Sequence, residues 1–473
     1  MSALTADATR PDETSAPPSI VPLAAPSVMP RAGFGRRVVR LLLSPLRYAR
    51  RRPLRALGYL AFALLVSAAV AGAAAYAWFA HHLRNARTEL ARGHNAPALR
   101  RLEKCRMIRP EAREVLILSA RVARRAGSWN EAEFFLDRYT HLYGEREESV
   151  FERLLLRATR GEIEDASPAL VARMRAEGPE ADMAREALIT GLLNRFRWPE
   201  ASHYLTAWLE AAPDSTMALL LQGKLNEQRQ AVGPALDGYR RIVELDPEHD
   251  EARLRLTTLL LGNRFGEEAL THLVVLRQRL PENLEIEVQW GRALALQART
   301  AESRAALEAC VARHPDYPPA LAELGSQSLA DGDEEKAERL LARAVALEPG
   351  NVTARSQYAF VLARNGKREE AAREQKRVAD LKADFERIAV LISGPLQERP
   401  NDPQVPYEIA QIAVRSGQVR EALRWFTAAL RLDAAHAPTH QALARLYRAL
   451  DNPVMAARHR ALAHGRDAGN AKQ

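Results

Sequence analysis

The sequence predicts an all-α chain, one long apolar helix followed by an array of stacked helix pairs. Three observations carry this. Proline recurs at Pro179, Pro213, Pro247, Pro281, Pro315 and Pro349, each 34 positions after the last. A small residue keeps the same step through most of the chain and is followed four positions later by a large one. Upstream, residues 56–80 form a run of 25 positions without a charge.

Composition sets the frame. With 473 residues, 47% hydrophobic and 27% charged, the chain can bury a large core, which excludes a wholly disordered polymer. The net charge of +9 is unevenly spread: residues 1–80 hold ten Arg and three acids, leaving +2 for the rest of the chain. A nucleic-acid binder carries its basic charge on the folded face that meets phosphate, whereas here it lies beside the apolar run and favours a membrane. Two cysteines, Cys105 and Cys310, are too few for a disulfide scaffold or a zinc domain. Arg outnumbers Lys 61 to 7, as a high-GC bacterial genome would have it.

Residues 1–30 combine Pro with Ala, Ser and Thr without an apolar period, and are expected to be a disordered tail. Residues 31–55 carry nine Arg around Val38, Val39, Leu41, Leu42, Leu43 and Leu46, and read as a juxtamembrane topology signal. Residues 56–80 as a helix would be roughly 37 Å long, enough for a hydrocarbon core of ~30 Å. Tyr59 at one end and Tyr76 and Trp78 at the other fit interfacial aromatic belts. A cleaved signal peptide is the competing reading, but the stretch from Met1 to Arg55 that precedes the run is too long for a secretory leader. The nine Arg precede the span and only Arg84 and Arg87 closely follow it. The expected topology is a single pass through the cell (inner) membrane, N-terminus cytoplasmic and everything after residue 80 extracytoplasmic.

Beyond the span the repeat dominates. Small residues stand at Ala98, Ala132 and Ala166, then, after one added residue, at Ala201, Ala235, Ala269, Ser303, Ala337 and Ala371. Their large partners are Leu102, Leu136, Leu170, Leu205, Tyr239, Leu273, Leu307 and Leu341. Four positions apart, the two share a helix face: the small one admits the neighbouring helix and the large one fills the gap. Within one unit Leu321, Leu324 and Leu329 mark a first helix, Gly332 the turn, Ala337, Leu340, Leu341, Ala344 and Leu347 a second helix, and Pro349 its end. Gly93, Gly127, Gly366 and Gly417 occupy the same turn, where a left-handed residue is expected. The segments EEKAERLLARAVALEPG from Glu334 and EALRWFTAALRLD from Glu421 resemble the second helix of the tetratricopeptide repeat (TPR) family. The resemblance covers roughly residues 81–465, about eleven units, and implies a right-handed α-solenoid of the kind that serves as an adaptor.

The step fails once. After Ala371 the next clear small position is Ala422, 51 positions on, and residues 370–393 can run as one long helix. The expected organisation is therefore an array of about nine repeats at 81–393, a break or hinge at 394–406 around Gly394-Pro395, a C-terminal pair at 407–465 and a disordered end at 466–473.

Chemical motifs are scarce. Cys105 and Cys310 fall seven positions after a small residue and read as core filler. Asp331-Gly332-Asp333 lacks the remaining ligands of a calcium loop and reads as a helix start. His81, His82 and His94 read as solvated or interfacial. No metalloprotease, P-loop, dinucleotide or nucleophile-elbow motif occurs, and repeats occupy nearly all the chain beyond the span. The expectation is a protein without enzymatic activity, cofactor or metal. In the resembled family the first helix of each pair lines the concave face. That register places Arg121, Arg124, Arg125, Arg153, Arg160, Glu186, Lys224, Arg292 and Tyr407 on a candidate partner-binding groove with a basic N-terminal end. The leading expectation is a membrane-tethered scaffold for one or more protein partners, with no nucleic acid involved. The alternative is groove-based handling of an anionic polysaccharide in a synthesis or export complex.

Overall fold

The computed structural model describes residues 53–176 and 178–464. The expected tails at 1–30 and 466–473, and all but the last positions of the Arg-rich segment, lie outside the described residues. The described residues are helical and contain no strand. They fall into two compact units that divide between Ala77 and Trp78.

Helix α1 (Pro53–Ala91) runs through the uncharged segment. In the first unit Phe62, Leu64, Leu65, Val70 and Tyr76 stand between 63% and 69% exposed. A helix apolar on every side and self-satisfied in its backbone suits hydrocarbon rather than water. Among the described residues, one helix, with its apolar window in Ala61–Ala91, is long and apolar enough to cross a membrane.

The second unit is an α-solenoid of stacked helix pairs. Phe79, Leu83, Ala86 and Leu90 of α1 share a buried cluster with Ala98, Leu102 and Cys105 of α2 (Asn95–Ile108). Eight regular pairs follow: α3 (Arg113–Arg125) and α4 (Trp129–Tyr143), α5 (Glu147–Thr159) and α6 (Ile163–Met174), α7 (Pro179–Asn194) and α8 (Trp198–Ala211), α9 (Thr216–Gln228) and α10 (Val232–Leu245), α11 (Asp250–Gly262) and α12 (Gly266–Arg279), α13 (Leu284–Leu296) and α14 (Thr300–Arg313), α15 (Pro318–Ala330) and α16 (Glu334–Leu347), α17 (Val352–Arg364) and α18 (Arg368–Ser393). A short α19 (Pro395–Glu398) leads to α20 (Gln404–Arg415) with α21 (Val419–Leu432), then α22 (Ala437–Ala449) with α23 (Pro453–Ala463). Each helix packs on its chain neighbours.

The repeat register seen in the sequence is the core register. Ala98, Ala132, Ala166, Ala201, Ala235, Ala269, Ser303 and Ala337 are fully buried, as are all eight of their large partners. Each such leucine contributes about 1.5–3 kcal/mol by leaving water. The small position matters because the first helix comes close: a Cβ on Gly291 or Gly325 would lie 2.8 Å from Leu307 or Leu341. The prolines act through the residue before them. Ala212, Asp246, Leu280, His314 and Glu348 each leave the helix with φ between −144° and −129°, the extended geometry that proline imposes on its predecessor.

The inter-helix turn takes a left-handed residue throughout. Gly127, Gly161, Gly332 and Gly366 supply it at no steric cost, but Phe196, Gln230, Arg264 and Ala298 hold the same turn at φ 56–66° with side chains attached.

The solenoid also touches itself. Phe196 stacks on Trp425 of α21 at 4.9 Å between ring centroids, and the Phe196 carbonyl accepts a 2.6 Å hydrogen bond from Gln397 Nε2. Arg431 donates to the Arg160 carbonyl and sits over Trp129. A second seam joins the first pair to the fifth: His94 Nε2 lies 2.6 Å from Asp246 Oδ2 and His94 Nδ1 lies 2.9 Å from Glu89 Oε2. Both seams link an inter-helix turn to a second helix, or to residues just after one, several repeats away.

Candidate partner-binding site

The first helices of successive pairs carry a polar row. Gln289 Nε2 donates to Thr258 Oγ1 at 2.8 Å, and Gln357 Nε2 to Ser326 Oγ at 2.8 Å. Arg292 Nε meets Glu323 at 3.0 Å, Lys224 meets Glu251 at 2.7 Å, and Arg255 meets Glu227 at 3.1 Å. The first three pairs share one sequence offset, a repeat period less about one helical turn, so each side chain reaches across to the neighbouring first helix. The row borders a concavity of about 270 Å³ lined by Glu227, Glu251, Arg255, Thr258 and Glu285. A larger one, of about 830 Å³, lies where α16, α17, α18 and α20 meet, among Val345, Pro349, Arg355, Leu381 and Ser416.

Electrostatics differ along the row. Burial pushes the Glu251 carboxyl up, but Lys224 and then Arg255 outweigh it and hold the group at about 2. Glu323 goes the other way, because burial raises its pKa and Arg292 counters only part of that. At neutral pH the row is thus a set of side-chain amides and hydroxyls interleaved with ion pairs.

Four of the residues singled out in the sequence come together elsewhere. Arg124 is 1% exposed; its Nε donates to Glu152 Oε1 at 2.8 Å and its Nη1 lies 3.3 Å from Glu186 Oε1. Arg121 holds the other oxygen of Glu152 at 3.0 Å. Arg125 takes both oxygens of Glu186, with Nε at 2.8 Å from Oε1, and donates from Nη1 to the Leu90 carbonyl at 2.7 Å. This network ties α1, α3, α5 and α7 together inside the stack and presents no surface at Arg124. Glu152, absent from the sequence-level set, is its second anchor. Its signal was available: Glu152 and Glu186 stand one full repeat period apart, the same register on successive first helices, facing the Arg-rich face of α3.

The remaining singled-out residues are separate. Arg153 pairs with Asp137 at 2.8 Å, and Arg160 with Glu133 beneath Trp129. Lys224 and Arg292 belong to the polar row. Tyr407 Oη accepts from Gln411 Nε2 at 2.7 Å, its ring 5.5 Å from that of His436. Arg121, Arg124, Arg125, Arg153 and Arg160 are therefore matched by carboxylates within the fold. Cys105 and Cys310 are free and buried, and burial pushes both thiols up. Among the described residues no cluster of His, Cys, Asp and Glu has the arrangement of a metal site.

No family model matches the chain, and none of the curated proteins compared with it matches. Among solved structures it is similar to PilW, described as a type IV pilus biogenesis factor, at 16% identity over 44% of this chain and 96% of that one, with a TM-score of 0.38. A tetratricopeptide repeat protein from Parabacteroides merdae matches at 14% identity over 54% of this chain and 94% of its own, TM-score 0.28. A human IFIT1 dimer with PPP-AAAA matches at 14% identity over 74% of this chain and 90% of its own, TM-score 0.37.

Proposed function

We propose that this chain is a non-enzymatic scaffold, tethered by α1 in the cell (inner) membrane with its N-terminus cytoplasmic, that holds an extended polypeptide segment of a partner along the first-helix row on the extracytoplasmic side. The observation that carries the reading is the row itself. Thr258 and Ser326, two repeats apart, and Gln357 on the first helix after Ser326 offer hydroxyl and amide groups in register along the row, which suits the regularly spaced donors and acceptors of a peptide backbone; Gln289, 4% exposed, braces Thr258 from within the stack. Lys224 and Arg292, held by Glu251 and Glu323, are the charged positions proposed to meet partner side chains. Arg121, Arg124, Arg125 and Glu186 support the site by fixing the first four pairs. Tethering is supported by the exposed apolar side chains of α1 and by the Arg-rich stretch on one side of it.

Photo-crosslinking in intact membranes tests the binding surface. A crosslinker at Gln357 or Thr258 should capture a discrete partner that a crosslinker at Arg339, on the second-helix side, does not; equal or no capture overturns the row as the binding surface. For topology, protease added to spheroplasts should digest the repeat unit and leave a protected N-terminal fragment. Digestion only after lysis overturns the extracytoplasmic placement.

A further inference from the structure

The last turn of α2 exposes a far more accessible apolar side chain than the last turn of α4, where Leu142 and Tyr143 are 38% and 36% exposed. Met107 is 83% exposed and Ile108 40%, two adjacent large apolar residues with no cover. Lys104, Arg106 and Arg109 surround them, and among the described residues none of the three has a carboxylate partner within ion-pair distance; Arg106 lies over the Phe135 ring and Arg109 over the Phe79 ring. This turn packs where the uncharged run of α1 ends. Cys105 Sγ approaches the Phe79 carbonyl at 3.8 Å, the Arg109 guanidinium is 5.7 Å from the centre of the Phe79 ring, and the run itself stops at Ala80.

We propose that Trp78, Met107 and Ile108, ringed by Lys104, Arg106 and Arg109, form a footprint that rests on the interfacial layer of an anionic lipid bilayer. The proposal rests on the tethering role of α1, and chain connectivity supplies its geometry. If the run to Ala80 lies in lipid, residues in contact with Phe79 stand at the boundary between hydrocarbon and headgroups. The side chains there have the chemistry of that layer, with apolar groups to enter it, Trp78 to sit at headgroup depth and unpaired cations to meet phosphate. His82, packed edge-on against Trp78 at 4.3 Å, adds a second amphipathic ring at the same boundary. A protein partner would use the same apolar pair but has no reason to sit where the span emerges.

The test uses the full-length chain reconstituted in vesicles, with an environment-sensitive fluorophore on one introduced cysteine at a time; Cys105 and Cys310 are buried. Met107→Cys is the reporter, Leu65→Cys the span control and Val454→Cys, 76% exposed on α23, the solvent control. In vesicles containing anionic phospholipid, the reporter at 107 should be blue-shifted, and quenched by nitroxide lipids labelled near the headgroup, while that at 454 is unchanged. The effect at 107 should weaken in purely zwitterionic vesicles and after Lys104, Arg106 and Arg109 are changed to Gln. A reporter at 107 that behaves like 454 while that at 65 is quenched overturns the footprint and leaves the tether standing. Absence of quenching at 65 overturns the tether, and the footprint with it. A blue shift at 107 that depends on protein concentration and resists lipid quenching shows a second copy on this surface and also overturns the footprint.

Discussion

Replacing Glu186 by Gln removes the charge on which two guanidinium groups converge while keeping the side chain's shape. Glu186 is 5% exposed. Burial alone would raise its pKa, yet Arg125 and then Arg124 hold it at about 2, against an ordinary 4.5. That displacement corresponds to about 3 kcal/mol of stabilisation at neutral pH, and stranding Arg125 beside the Leu90 carbonyl places the loss in the ~3–5 kcal/mol range for breaking one side of a buried pair. Arg124→Met should cost less, about 1–2 kcal/mol, because Glu152 keeps Arg121 and Glu186 keeps Arg125, so no carboxylate is left alone. The sign of the pH dependence follows from a folded pKa below the unfolded one. The contribution is fully present above the unfolded value and drains away as pH falls toward about 2. Hydrogen exchange of α5 and α7 amides in the detergent-solubilised chain reads the effect, since repeat arrays open locally. The gap between wild type and Glu186→Gln should be full near neutral pH and close through the acid range. Equal costs for the two variants, or a gap indifferent to pH, would refute the network reasoning.

Other outcomes follow from packing. Gly191→Ala, a change that ordinarily stabilises a helix interior by ~1 kcal/mol, should here destabilise by about 1–3 kcal/mol, because the new Cβ would lie 2.1 Å from the Ala158 carbonyl oxygen; unaltered thermal unfolding would contradict the close approach. Ala298→Gly should raise stability by up to about 1 kcal/mol by relieving a left-handed residue, measurable as a shift of the thermal midpoint. Trp425→Ala removes the stack on Phe196 and should make residues 407–463 lose exchange protection ahead of residues 215–349; an unchanged order would show that the seam contributes little to holding the C-terminal pairs.

The helix pairs were legible because their determinants are local: the small-then-large step, the turn glycine and the proline all lie within one period. The seams were not, because Phe196 and Trp425 come from repeats far apart in the chain and no period connects them. A large residue at the left-handed turn marks Phe196, but Gln230, Arg264 and Ala298 share that position without its stacking partner, so the signal alone does not locate a seam. Arg124 read as a groove residue because charge on a repeat helix usually meets water, and its burial depends on two carboxylates supplied by later repeats. The polar row falls between these cases. Arg292 and Lys224 were visible on the first helices, whereas Gln289 and Gln357 carry no charge to draw attention and are recognised by the constant offset to their partners.

An open solenoid can gain or lose a repeat at little cost, since each unit meets only its neighbours. The contacts of Phe196 with Trp425 and of His94 with Asp246 take that freedom away. Deleting one unit between 197 and 396 would rotate and shift everything beyond it, so that Trp425 would no longer arrive opposite Phe196. The chain in effect counts its repeats, and a duplication tolerated in an open array would here be exposed as an unmatched edge.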